Sequence, residues 1–186
     1  GVDDHLFVSN RDHGLAMIDV SDPSNLREIT RIGEFGLAGM AATESVLWVA
    51  DHYGGLRTYS IGSESLTETH RLEDLGHSWD LVVSGDDGWL ATSDAGLIPL
   101  DLSTPTHPEA GPPVPSIGGI QDLALSGDGQ TLYAAEGGSG VEVFSLDDPA
   151  VPTSRGAIAS GYSAVGVTTG ANLLWAATLG DIVAYD

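Results

Sequence analysis

Gly14-Leu15-Ala16-Met17-Ile18-Asp19-Val20 returns along the chain as Gly55-Leu56-Arg57-Thr58-Tyr59-Ser60-Ile61 and as Gly96-Leu97-Ile98-Pro99-Leu100-Asp101-Leu102. It returns again as Gly140-Val141-Glu142-Val143-Phe144-Ser145-Leu146, and more weakly as Gly180-Asp181-Ile182-Val183-Ala184-Tyr185-Asp186. The period is 40 to 44 residues. A second motif precedes each glycine: His5-Leu-Phe-Val-Ser, Val46-Leu-Trp-Val-Ala, Gly88-Trp-Leu-Ala-Thr, Thr131-Leu-Tyr-Ala-Ala and Leu173-Leu-Trp-Ala-Ala. A third lies earlier in the unit: Gly39-Met-Ala-Ala-Thr, Asp80-Leu-Val-Val-Ser, Asp122-Leu-Ala-Leu-Ser and Val165-Gly-Val-Thr-Thr. Self-similarity in three motifs that keep register marks a repeat architecture.

Each motif is short, β-branched or aromatic, and bounded by Gly, Asp, Asn or Ser, which reads as strand and turn. Ser84-Gly-Asp-Asp-Gly and Ser126-Gly-Asp-Gly are hairpin signals, because Gly and Asp tolerate positive φ. No window of ten or more residues carries a 3.6-residue apolar period, so helix is excluded. A more polar fourth strand closes each unit at 26–32, 66–72, around 109–114, and 154–159. Four antiparallel strands in about 40 residues are a propeller blade. The fold class expected is therefore all-β, a β-propeller of about five four-stranded blades. Three are complete and two partial, with units near 1–37, 38–78, 79–120, 121–163 and 164–186. Both partial blades offer strands two and three, so they cannot merge into one. The chain reads as a segment of a larger propeller, and the open β edges predict association.

Composition bounds the function. The 186 residues carry 27 acids against six bases, all Arg, for a formal charge of -21. Such a surface repels nucleic acid and anionic membranes. With no cysteine there is no disulfide, iron–sulfur site or thiol nucleophile. No apolar run approaches the ~20 residues of a membrane span, and no signal peptide is evident. A first residue other than Met is expected of a processed or excised product. GxSxG, P-loop and dinucleotide-binding signatures are missing.

Gly14-Leu-Ala-Met-Ile-Asp-Val-Ser-Asp-Pro-Ser-Asn resembles the LVIVD-repeat family, whose units read as apolar strand, Gly-Leu, then Ile-Asp-Val-Ser-Asp-Pro. The likeness recurs at Leu100-Asp-Leu-Ser-Thr-Pro and Phe144-Ser-Leu-Asp-Asp-Pro, and decays to Tyr59-Ser-Ile-Gly-Ser-Glu. Leu125-Ser-Gly-Asp-Gly-Gln-Thr-Leu-Tyr-Ala-Ala-Glu is similar to the YVTN-type repeat of surface proteins and some lactonases. The resemblance implies an extracellular, cell-surface or periplasmic binding or scaffold module. It supplies no catalytic residues and requires no cofactor.

Two loop sets share one propeller face. The strand two-to-three turns place Asn10, Asp51, Asp94 and Glu136 at one repeat position, followed by Thr178. The trio Asp51, Asp94 and Glu136 either holds a hard cation such as calcium, in a lactonase-like hydrolase, or caps separate turns. The second set rings the face with Phe35, His77, Trp79, Gln121 and Tyr162, a mixture suited to a sugar or a protein partner. The alternative for Trp79 and Tyr162 is packing between blades. His13, His52 and His77 map to the same face, without a spacing that enforces a zinc site. Asp80 and Asp122 open strand one and are expected to tether a loop by hydrogen bonding.

Overall fold

A computed structural model describes residues 4–10, 12–33, 36–158 and 163–186. Five antiparallel sheets follow one another in chain order. The first holds β1 (His5–Asn10), β2 (Gly14–Asp19) and β3 (Arg27–Ile32). The second holds β4 (Leu37–Ala42), β5 (Val46–Asp51), β6 (Gly55–Ile61) and β7 (Leu66–Leu72). The third holds β8 (Ser78–Ser84), β9 (Asp87–Thr92), β10 (Leu97–Asp101) and β11 (Glu109–Ala110). The fourth holds β12 (Asp122–Leu125), β13 (Thr131–Ala135), β14 (Val141–Ser145) and β15 (Thr153–Ile158). The fifth holds β16 (Ala164–Gly170), β17 (Leu173–Thr178) and β18 (Ile182–Tyr185).

The leading strands β4, β8, β12 and β16 pack against one another in succession and form the hub of a β-propeller. Four apolar layers separate the sheets. Phe7, Leu15 and Met17 meet Leu37, Leu47, Val49 and Tyr59 between the first and second sheets. Val46, Trp48, Ala50 and Leu56 meet Leu81, Leu90, Ile98 and Leu100 at the next junction. Trp89, Ala91 and Leu97 then meet Leu123, Leu132, Ala134 and Phe144, and a lighter layer joins Ala135 and Val141 to Val167 and Leu174. An inner sheet is thus covered on both faces, which is why β5 is buried throughout and apolar from Val46 to Ala50 rather than alternating. Burying each large side chain contributes roughly 1.5–3 kcal/mol.

Turn chemistry and bulges recur with the repeat. Gly14, Gly55, Gly96 and Gly140 all take positive φ where strand three begins, the conformation a side chain resists. Register shifts fall at corresponding places between strands one and two, at Leu37/Met40, Ser78/Asp80 and Ala164/Gly166. Such bulges add local twist. The fourth strand of the third sheet is shorter than its expected span near 109–114. It keeps only Glu109–Ala110, with a single further bridge from Leu97 to Val114, because Pro112 and Pro113 have no N–H to give a ladder. No described helix is long and apolar enough to cross a membrane.

Candidate functional site

The strand two-to-three turns act first as lashings. Asn10 Oδ1 accepts from Asp12 N–H at 2.9 Å and lies 3.2 Å from His13 Nδ1, so His13 stays within its own turn. Asp51 is buried: its Oδ1 accepts from Tyr53 N–H at 2.9 Å, and Arg57 Nε donates to its Oδ2 at 2.6 Å. Asp94 Oδ1 accepts from His77 N–H at 2.9 Å, while its Oδ2 lies 3.3 Å from His77 Nδ1. Glu136 Oε2 accepts from Gly118 N–H at 2.9 Å, and Thr178 Oγ1 accepts from Asp181 N–H at 2.9 Å. Asp94 and Glu136 therefore hold the loop that enters their own sheet.

Strand register revises the equivalence expected of these residues. Asp51 pairs with Leu37 and Gly55, and its counterpart in the third sheet is Thr92, which pairs with Ser78. Asp94 lies two residues further on, in the turn. Asp51, Asp94 and Glu136 engage different local partners, and among the described residues no group of three His, Asp or Glu side chains gathers to hold a metal.

One cluster does assemble on this face, at the junction of the second and third sheets. The His52 ring stands 4.6 Å from the Trp79 ring in an edge-on arrangement, 5.3 Å from His77 and 5.1 Å from Tyr53. Trp79 is half-buried there, against His52 of the neighbouring sheet, while the imidazole of His77 is exposed. Tyr53 is 71% exposed. An open recess of about 460 Å³ is lined by Tyr53, Gly54, Glu73, Asp74, Gly76 and His77. Gly76 is needed here: φ is +90°, and a Cβ would sit 2.5 Å from Asp94 Oδ1, so the carboxylate reaches His77 only because that position is bare. Partial burial raises the Asp94 pKa, but the backbone and imidazole of His77 outweigh it and hold the carboxyl below its usual range. Glu73 and Asp74 add negative charge at the rim.

Of the residues expected to ring the face, His77 and Trp79 come together through His52. Gln121 is exposed elsewhere, near Gly137, and Phe35 and Tyr162 lie outside the described residues. Sequence reasoning missed Tyr53 as a site residue, although it follows Asp51-His52 in the same turn. It also missed Glu142, which faces Glu136 inside the fourth sheet. Asp80 and Asp122 do tether by hydrogen bonding, but to a neighbouring strand instead of the loop expected: Asp80 Oδ2 accepts from Leu123 N–H at 3.1 Å, and Asp122 Oδ2 accepts from Val167 N–H at 2.7 Å. Each ties its sheet to the leading strand of the next.

Comparison with known proteins agrees with this architecture. The LVIVD repeat profile matches residues 2–32 and 75–110, which carry the first and third sheets. A protein of Bacteroides fragilis described as a candidate 6-phosphogluconolactonase superposes with a TM-score of 0.84 at 17% identity, over 98% of this chain and 63% of its own. A functionally unknown protein of Desulfotomaculum acetoxidans gives 0.80 at 8% identity, over 100% of this chain and 64% of its own. The computationally designed Ika8 protein gives 0.68 at 11% identity, over 98% of this chain and 55% of its own. This chain thus spans less than two thirds of the length of each. No curated protein sequence matches it. At these identities the likeness is one of fold, and the chain carries LVIVD repeats on a β-propeller scaffold.

Proposed function

We propose that the protein is a non-enzymatic binding or scaffold module of the cell exterior or periplasm, and that its contact surface is the loop face around Tyr53, His77 and Trp79. The observation that supports this reading is the cluster itself: an exposed tyrosine over an acidic recess, backed by two imidazoles and an indole. Aromatic faces beside carboxylates suit a cationic side chain, held by ring and charge together. A basic segment of a protein partner is the ligand class that fits best, because a net charge of -21 would also steer it inward. The test is binding of the chain to arginine- and lysine-rich peptides and, in parallel, to neutral oligosaccharides. Tyr53→Ala should abolish peptide capture while shifting stability by no more than about 0.5 kcal/mol, as for other exposed positions. Capture of neutral sugars instead, unaffected by salt, would replace the basic partner with a carbohydrate.

The lactonase-like hydrolase is the second reading, favoured only by the shared scaffold of the Bacteroides fragilis protein. It needs Asp51, Asp94 and Glu136 to leave their present hydrogen bonds and converge on one cation such as calcium. Calorimetric titration with calcium, together with a lactone hydrolysis assay, separates the two readings. Tight calcium uptake lost in Asp94→Asn, with turnover, would establish the enzyme.

A further inference from the structure

The outermost faces of the array are two halves of an interface that the molecule builds repeatedly inside itself. Trp48 of the second sheet donates its indole N–H to the carbonyl of Pro105 at 2.9 Å, in the turn of the third. Trp89 of the third sheet donates likewise to the carbonyl of Pro149 at 3.1 Å, in the turn of the fourth. Both turns continue the Leu-Asp-Leu-Ser-Thr-Pro and Phe-Ser-Leu-Asp-Asp-Pro motifs, so the proline that ends each repeat strand serves the sheet before it. The exception follows the same logic. The first sheet has Phe7 at the tryptophan position, with no N–H to give, and the turn it faces, Gly62-Ser63-Glu64, has no proline.

Each outer face carries one unmatched half. Trp175 holds the tryptophan position of the fifth sheet, opposite Thr168 and Ala184, as Trp48 is opposite Ala41 and Thr58. It is 39% exposed, against 1% for Trp48 and 2% for Trp89. Beside it Ile182, which pairs with Ala177 as Leu56 pairs with Ala50 and Leu97 with Ala91, is 69% exposed, although Leu56 and Leu97 are wholly buried. On the first sheet the turn Asp22-Pro23 is exposed, and Leu6, Val8 and Leu26 lie open where other sheets bury Leu47, Val49, Pro108 and Pro152. Among the described residues nothing bonds the Trp175 indole or the Pro23 carbonyl.

We propose that these faces are docking surfaces for further sheets of the same repeat, with Trp175 locking onto the proline carbonyl of an arriving Asp-Pro turn and Pro23 receiving an aromatic N–H. The occupant follows from continuity with the internal junctions, which supply both the apolar footprint and the polar lock. A second copy of the whole chain fits less well. The solved propellers that resemble this chain extend beyond it by roughly half its own length, leaving less room than five more sheets require.

The test extends the chain in register. Strand pairing sets Tyr185 opposite Leu174 as Leu100 lies opposite Gly88, one residue off the glycine-based alignment, so Asp186 holds the position of Asp101 and residues 102–163 can be appended directly after it, adding an outer strand to the fifth sheet and a copy of the fourth. Trp175 then faces the turn that Trp89 already uses. In the extended protein, Trp175→Phe should lower the urea midpoint by as much as Trp89→Phe does, and subtraction of the variant's emission should show a blue-shifted tryptophan. In the 186-residue chain the same substitution should leave the midpoint unchanged. A silent Trp175→Phe in both proteins would overturn the proposal. So would an extension that fails to fold cooperatively while the parent folds, since a fitting sheet does not unfold its neighbour. Concentration-dependent burial of Trp175 in the unextended chain would assign the face to a second copy instead.

Discussion

Where the second sheet holds Asp51 and Arg57, the fourth holds Glu136 and Glu142 at the same repeat positions. An ion pair in one blade is two facing acids in another. Both glutamates are buried, with Ile117 N–H donating to Glu142 Oε2 at 2.9 Å and Ser154 Oγ donating to its other oxygen. Burial, and then the bond to Glu142 and its charge, push Glu136 up to about 8. The folded protein therefore holds this proton more tightly than the unfolded chain, where glutamate titrates near 4.5. Stability from it is complete below that value and is lost as pH climbs towards 8. Glu136→Gln keeps the neutral form at every pH. Its unfolding free energy from urea titration should match the parent near pH 4 and exceed it at pH 9, by at least ~1 kcal/mol. Parallel pH profiles for the two proteins would show that the acids do not share a proton.

Between elements, the closest approach is made at the hub. Gly39 of β4 sits where a Cβ would lie 2.1 Å from Asp80 Oδ1 and 2.6 Å from the Asp80 backbone. The second distance is to backbone, so the neighbour cannot swing away. Gly39→Ala should destabilise by about 1–3 kcal/mol, the usual cost of overpacking, and should lower the thermal midpoint accordingly. The strands themselves were legible in the sequence because turn residues and alternation are local signals. The order of the eighteen strands among the described residues, in five sheets, followed from motif spacing. Less was legible where a strand's own prolines, an irregular turn or a contact between sheets overrode the repeat pattern. Pro112 and Pro113 trimmed β11, and an irregular turn moved Asp94 out of the Asp51 position into reach of His77. The His52–Trp79 contact joins two sheets across 27 positions of sequence, and only the radial packing brings the rings together. His77 and Trp79 could be placed on one face by repeat position, but their shared partner His52 could not be named from it.

At the scale of the whole molecule, charge and the hub act together. Twenty-seven acids against six bases give long-range repulsion that folding concentrates. Within that field Asp80 and Asp122 face each other: burial first, and then the charge of Asp122, push Asp80 up to about 7, and burial raises Asp122 as well. Both effects have one sign, because each makes the folded state the better proton binder above the ordinary aspartate value of 3.8. Surface groups act at the other end. Asp19, Asp101 and Asp128 are held below that value by hydrogen bonds from serine side chains and backbone N–H groups, so what they contribute is lost as pH falls through their lowered range. The unfolding midpoint should therefore peak near pH 4–5, fall slightly on the acid side, and decline steadily to pH 9. Asp80→Asn should make the decline between about 4 and 7 shallower, leaving the overlapping part due to Glu136, which runs on to about 8. Raising NaCl to 1 M, where screening acts within about 3 Å, should lift the midpoint at neutral pH but leave the Glu136 inflection in place, since that pair is shielded from solvent. If salt erased the inflection, the pH dependence would belong to the surface field and not to the buried acids.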